Sequence, residues 1–473
     1  MKKESIQHYF PLYATIALLT IFFASCAPVA TSLAHEEATM ISRSSAAADW
    51  PGYMLGNNRA NFNSTETRIN SITVSRLTLH WVAQGNDRVF SQPLVVNGLI
   101  YWGSVDGFEH ATDLYGKQVW TVNLGASHAE CDADADDKVG IIDTATVSSI
   151  VLGRKRTPVL FVGGGDGRFY ALNALTGAII WTRLLGTPPA TFLWSSPAVY
   201  EGKVYEGVSS LSDCPLVQGK LVQMDAGTGA ITHTFNTVPT GCQGGSIWSS
   251  PTIDTAAGVI YVSTGNPGPC SVAEPYAVAI LKLRASDLSL LDSWQVPQND
   301  QIGDSDFGAT PTLFAATIAR TKKQLVGMVN KNGIYYAFDR NAISQGPVWT
   351  AQAGGVNTVA PSTWDGRYLY LGGRETSLQG KKCAGTFEAL NPSTGVSLWQ
   401  RCLGDGSDVG AITIVPGVAT VPEGGAFLAI ATNDGHTLFS YSNDHARFLG
   451  PASVSNGMLY IGSYTGGLYA FGL

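Results

Sequence analysis

The sequence contains no Cys-x-x-Cys and no Cys-x-x-Cys-His. The first absence removes zinc ribbons and thioredoxin-like redox sites, and the second removes covalent c-type haem. Charge is sparse: charged residues are 14% of the 473, and the net charge is -7 at pH 7. No basic face is available to meet a phosphate backbone, so a nucleic-acid partner is excluded. The cluster "ARTKKQ" (Ala319–Gln324) lies between two apolar runs and reads as a solvated hairpin tip. There is no Gly-x-Ser-x-Gly, and the eight histidines are scattered, which leaves a serine hydrolase without its nucleophile elbow. The apolar run "ATIALLTIFFA" (Ala14–Ala24) is too short to span a bilayer, which takes about 20 helical residues.

Glycine is what the chain has in quantity, with 53 residues against 22 prolines and 10% aromatics. That profile fits many short strands joined by turns. At the N-terminus, "MKK", the apolar run and "FASC" resemble a signal peptide ending in a lipobox, with lipidation at Cys26. Ordinary cleavage after "SLA" (Ser32–Ala34) and a retained anchor are the alternatives. Each places the folded part outside the cytoplasm, as a membrane-anchored lipoprotein or a secreted protein. The expected division is signal peptide 1–26, linker 27–48 and folded domain 49–473.

That compartment permits disulfides. Setting Cys26 aside, Cys131, Cys214, Cys242, Cys270, Cys383 and Cys402 allow fifteen pairings. Cys383–Cys402 is the favoured pair because both lie in one sequence repeat.

The repeat is the strongest signal. "DGRFYALNALTGAIIWTRLLG" (Asp166–Gly186) is echoed by "QGKLVQMDAGTGAITHTF" (Gln218–Phe235), "AGTFEALNPSTGVSLWQRCLG" (Ala384–Gly404) and "DGFEHATDLYGKQVWTVNLG" (Asp106–Gly125). A weaker copy is "NGIYYAFDRNAISQGPVW" (Asn332–Trp349). Each copy holds a turn, a strand, an Asp- or Asn-initiated turn closed by glycine, and a strand ending near Trp. Two further strands precede each copy, as in "SSPAVYEGKVYEGVSS" (Ser195–Ser210). Four strands in about 45 residues make a propeller blade. About eight units fit between Phe90 and Leu473. The last has only three strands, and "LTLHWVAQG" (Leu77–Gly85) can supply the fourth. The fold expected is all-β: an eight-bladed propeller of four-stranded antiparallel blades, closed by an N-terminal strand in the C-terminal blade.

This repeat resembles the blade motif of the pyrroloquinoline quinone (PQQ) propellers, over most of the chain from Asp49 onward. That family includes quinoprotein alcohol dehydrogenases as well as cofactor-free scaffolds. Trp248, Asp254 and "TGNP" (Thr264–Pro267) look like a segment of the dehydrogenases. The resemblance implies that Trp248 floors a flat quinone and that the Asn266 side-chain oxygen binds Ca²⁺, a hard cation suited to amide and carboxylate oxygens. "IGDSDFGATPTLF" (Ile302–Phe314) is similar to the dehydrogenases' Asp-rich segment, which implies a catalytic base beside the metal. Asp304 is the candidate, with Asp306 its rival. "KNGIYYAFDR" (Lys331–Arg340) resembles the segment whose cation, here Lys331 followed by Asn332, bonds the quinone. The family's calcium-binding Glu has no counterpart. Asp213, about one residue out of register, is the nearest carboxylate, and the family's vicinal cysteine pair is absent.

The resemblance therefore implies an extracytoplasmic dehydrogenase that oxidises an alcohol or similar substrate with PQQ and Ca²⁺. Lacking its own covalent haem, it would pass electrons to a separate acceptor. A non-catalytic scaffold lipoprotein and a partner- or carbohydrate-binding propeller are the alternatives. Separately, "CDADADDKVGIID" (Cys131–Asp143) puts Asp132, Asp134, Asp136 and Asp143 at EF-hand ligand positions. Asp137 replaces the required Gly, so an acidic solvated loop is the simpler reading.

Overall fold

The computed structural model describes residues 49–128, 138–404, 410–443 and 445–473. The expected signal peptide, linker and Cys26 anchor lie outside the described residues, as do Cys131, Asp132, Asp134 and Asp136.

The described residues form 33 strands in eight antiparallel sheets. The first sheet in the chain runs β2 (Leu94–Val96), β3 (Leu99–Gly103), β4 (Phe108–Asp113) and β5 (Gln118–Asn123) in order. The final sheet closes the ring. Its order is β1 (Thr78–Ala83), β33 (Leu468–Gly472), β32 (Met458–Gly462) and β31 (Ser453–Ser455). Thr78 faces Gly472 and Ala83 faces Leu468, so the N-terminal strand becomes the outer strand of the last blade. This is the eight-bladed propeller expected, with no free edge left at the seam. The third blade adds a short strand, β10 (Thr191–Phe192), on the end of β12 (Lys203–Ser210). "ARTKKQ" forms the tip between β19 (Thr312–Ile318) and β20 (Thr321–Val329).

Burial follows position in the blade. Inner β2 is buried throughout, whereas outer β9 (Ile179–Leu184) alternates towards solvent. The repeat's turn works as its sequence implies. Asp225 Oδ1 accepts from the Gly227 and Thr228 backbone N–H at 3.2 and 3.1 Å, and Gly229 takes φ +67° to close the turn. Where an outer strand carries a Trp, that ring reaches the next blade. The Trp120 indole donates to the Ala174 carbonyl at 2.9 Å and the Trp181 indole to Ala226 at 3.0 Å. The turn glycines leave room for these rings: a Cβ on Gly177 would lie 2.9 Å from the Trp120 indole, and one on Gly229 2.4 Å from Trp181.

Hydroxyls stitch the inner strands. Thr146 donates to the Pro197 carbonyl, Thr252 to Pro311, Thr312 to Ser362, Thr413 to Ala452 and Ser453 to Pro93, each at 2.5–2.7 Å. Ala198 at the equivalent position has no hydroxyl. Arg59, from the irregular lead-in, takes over there, with Nε bonding the Pro251 carbonyl at 3.0 Å and Nη2 bonding those of Ser196 and Pro197. The lead-in also sends the Asn57, Asn61 and Asn63 amides to Val199, Ile412 and Val454. It therefore crosses one end of the axial channel and ties together blades distant in sequence.

Cys383–Cys402 is a disulfide, as the repeat implied, and Cys242–Cys270 is a second one.

Candidate functional site

The side chains of interest come from three consecutive blades and meet on the face opposite the lead-in. Trp248 stands four residues before β15 (Thr252–Asp254), at the start of the fourth blade. Asn266 follows β16 (Val259–Ser263), in the loop between the second and third strands of that blade. Lys331 holds the equivalent loop after β20, and Asp304 and Asp306 precede β19. Asp213 follows β12 in the third blade.

Lys331 is the hub. Its Nζ lies 3.0 and 2.9 Å from the two Asp304 carboxylate oxygens, 3.0 Å from Asp306 Oδ2 and 5.2 Å from the centre of the Trp248 ring. Asn266 completes the arrangement. Its Nδ2 donates to Asp304 Oδ1 at 2.9 Å, its Oδ1 accepts the Ser305 N–H at 3.0 Å, and its backbone N–H donates to Asp306 Oδ1. Asn266 thus both turns the chain and holds the acidic pair.

The loop that carries Asn266 is fixed from below. Gly245 N–H donates to the Asn266 carbonyl at 2.7 Å, Gly268 N–H to Gln243 at 2.9 Å and Gly265 N–H to Ser246 at 2.8 Å. The Cys242–Cys270 disulfide clamps the end of this short ladder.

The two aspartates differ in environment. Burial pushes the Asp304 carboxyl up, but the hydrogen bonds from Lys331 and Asn266 outweigh it and hold the group below the usual carboxylate range. The Asp304 side chain keeps 45% exposure, whereas Asp306 keeps 12%. For Asp306 burial prevails over the Lys331 charge and raises it. Burial opposes the Lys331 ammonium, but the two carboxylates overcome that and raise it, so it stays charged.

A cavity of about 240 Å³ opens onto this cluster, lined by Trp194, Ser210, Asp213, Ser246, Trp248, Asn266, Asp306 and Lys331 among others. Asp213 is exposed on its wall. Asn332 does not face it. Its amide donates to the Asp300 carbonyl and to the Tyr336 hydroxyl at 3.1 and 2.9 Å. Asp254 is paired with Arg340 at 2.8 Å instead. Asp143, the described member of the EF-hand-like series, is buried and accepts the Gly163 N–H at 3.0 Å. Trp194 is the wall residue that the sequence reading passed over. Its signal was present, since "WSSP" occurs at Trp194–Pro197 and again at Trp248–Pro251.

An eight-bladed ring with a charged, indole-walled cavity over one face defines a propeller of the PQQ-repeat class. Residues 103–401 match the family model described as outer membrane protein assembly factor BamB, and the chain belongs to that PQQ-like repeat family. It is 27% identical to the quinohemoprotein alcohol dehydrogenase ADH IIB of Pseudomonas putida, over 58% of this chain and 43% of that one. With a polyvinylalcohol dehydrogenase of Pseudomonas sp it shares 23% identity, over 88% of this chain and 73% of the relative. The solved quinohemoprotein alcohol dehydrogenase of Comamonas testosteroni superimposes with a TM-score of 0.71 at 18% identity, covering 92% and 82% of the two chains. The match thus spans less than half the length of the first of these relatives.

Proposed function

We propose that this chain is an extracytoplasmic quinoprotein dehydrogenase. It would oxidise an alcohol or similar substrate with PQQ and Ca²⁺ and hand the electrons to a separate acceptor. The observation that carries this reading is the convergence of Asn266, Asp306 and Lys331 on one cavity walled by Trp248, with Asp304 bonded to both Lys331 and Asn266 beside it. The similarity to alcohol dehydrogenases supports the reaction class. The two disulfides support an oxidising compartment.

The residues present suit a flat, anionic quinone. The Trp248 indole offers a planar wall, the Lys331 ammonium lies over it, and Ser210 and Ser246 add hydroxyls to the lining. They suit a metal less completely. Among the described residues, the only place where three His, Cys, Asp or Glu ligand atoms converge is Cys242, Cys270 and Glu274, and two of these are tied in a disulfide. Asn266 Oδ1 and Asp304 would hold a hard cation, which would compete with Lys331 for the carboxylate.

When bound, PQQ supplies a two-electron sink for hydride from the carbinol carbon. Asp304, ionised and solvent-accessible, is the base positioned to take the hydroxyl proton, with the more buried Asp306 its rival. Lys331 contributes positive charge where negative charge would develop. Asn266 fixes the base, and Trp248 sets the plane of the ligand.

The test is a titration of the purified apoprotein with PQQ, with and without Ca²⁺, followed by tryptophan fluorescence and melting temperature. The reading requires saturable, calcium-dependent stabilisation that is lost in Asn266→Ala. An absence of response at every cofactor concentration would overturn it in favour of a scaffold propeller.

A further inference from the structure

A second cavity, of about 450 Å³, lies on the propeller axis, and every blade contributes to its lining. It shares Trp194 and Trp248 with the charged cavity. Most of this well has apolar walls, made by the Phe90, Trp194 and Trp248 rings with Ile142, Val359 and Leu449. The hydroxyls on the wall hold neighbouring blades together. Those of Thr144, Ser196, Ser250 and Thr310 each accept a backbone N–H from the preceding blade, at 2.7–3.0 Å. Arg88, the cation on this wall, is paired with Asp87 at 3.2 Å and lies over the Tyr464 ring.

Asp143 is the exception. It lines the well and keeps only 3% exposure. Its Oδ2 accepts the Gly163 N–H at 3.0 Å, whereas its Oδ1 has no hydrogen-bond partner. Two more buried acids face it from the blades on either side. Glu109 in β4 and Glu206 in β12 both feel the Asp143 charge, and neither carboxyl has a hydrogen-bond partner. Arg59 attracts Glu206, but its guanidinium is held by the carbonyls of Pro251, Ser196 and Pro197. A lone carboxylate oxygen in a buried wall is unfavourable unless the group stays neutral or meets a cation.

We infer that the axial well is a binding site for an organic cation, a primary alkylammonium whose head donates to Asp143 Oδ1 and whose hydrocarbon body lies against the apolar wall. An ammonium suits this wall twice over, because it satisfies the lone carboxylate oxygen and is attracted to an indole face. The volume is about three times that of a cavity that takes up benzene, which leaves room for a body of roughly six carbons. Binding is coupled to a proton. Burial raises the Asp143 carboxyl to about 8, so below that pH it must lose its proton to receive the cation. The alkylammonium, like a lysine side chain, stays charged throughout. Affinity therefore climbs as pH rises from about 6 towards about 8, by up to about tenfold per unit. The site needs no quinone and is independent of the dehydrogenase reading.

The experiment uses the purified full chain with no quinone or metal added. Hexylammonium, 1-hexanol and hexanoate share a chain length and differ in charge. Each is titrated separately, with tryptophan fluorescence reporting on Trp194 and Trp248. Hexylammonium should bind at least about tenfold more tightly than the other two. Asp143→Asn, which can still accept the Gly163 N–H but carries no charge, should erase both that preference and the pH dependence. Melting temperature shows whether the variant is folded, and the pH series on the parent decides the matter if it is not. Binding that ignores the charge of the head group, or that ignores pH in the parent, would overturn the inference. So would hexylammonium bound as tightly by Asp143→Asn as by the parent, which would move the amine to the aspartates of the charged cavity. A PQQ titration on the same samples separates the two proposals. Charge-selective binding with no quinone response would sink the dehydrogenase and keep the well, and the opposite pattern would sink only the well.

Discussion

Lys331 holds the candidate site together, because one ammonium contacts both aspartates and lies over the Trp248 ring. Its removal has a predictable sign. Asp304 is kept below the usual carboxylate range chiefly by its bonds to Lys331 and Asn266, against the upward push of burial. In Lys331→Met the charge and the bonds are gone, so the Asp304 pKa rises. If Asp304 is the base, the acid limb of the kcat/KM profile moves to higher pH. The pH–rate profile of the cofactor-loaded variant checks this. An unmoved limb would take the role of base away from Asp304. Which residue types matter here could be read in sequence, since Asn266, Asp304, Asp306 and Lys331 all stand in recognisable segments. Their mutual pairing could not be read, because the segments lie on separate loops of two neighbouring blades and only the packing of those blades brings the loops together.

The informative element is the turn between the third and fourth strands. In Gly177→Ala the new methyl would sit 2.9 Å from the Trp120 indole, at a residue with φ +71°. Both the clash and the backbone strain act in the folded state, so a loss of about 1–3 kcal/mol is expected in a denaturant titration. Trp120→Ala, which empties the buried joint between two blades, should cost more, about 3–5 kcal/mol. A second element is the clamped loop Cys242–Cys270. Its ladder orients Asn266, so Cys242→Ser with Cys270→Ser should weaken PQQ binding more than it lowers the melting temperature. Equal losses of binding and stability would make the disulfide a general staple and remove its role in positioning the site. The turn was legible because its Asp or Asn and glycine recur at fixed spacing. The ladder was not, because nothing in "GCQGGS" or "GNPGPC" specifies that these two stretches pair.

For the whole molecule, the buried acids set the response to pH. Glu109 and Glu206 have no hydrogen-bond partner for either carboxylate oxygen, and Asp143 has none for one of its two. Burial raises Glu109 and Glu206 well above the usual range and Asp143 to about 8. Each therefore keeps its proton in the folded state at a pH where the unfolded chain, ionising near about 4, has released it. The folded state binds more protons over that window, so these groups favour folding less as pH climbs from about 4 towards 8. Melting temperature should fall across that range, and Asp143→Asn should flatten the decline. A parent protein equally stable at pH 5 and pH 8 would contradict the assignment of neutral buried carboxyls.

The sequence by itself determined the architecture. A repeated Asx-to-glycine turn, a Trp at the end of most units, and an unpaired strand at each end of the repeat array leave a closed eight-bladed ring as the arrangement that satisfies every edge. Local chemistry and backbone hydrogen bonding are enough for that. Only the tertiary structure decided how the site is built. It put Asp213 on the cavity wall, turned Asn332 towards Tyr336, recruited Trp194 and Arg59, and formed an apolar well beside a charged cavity. These features depend on where loops and linkers from different blades point once the ring has closed. Such contacts join residues tens to hundreds of positions apart, and no local pattern in the chain encodes them.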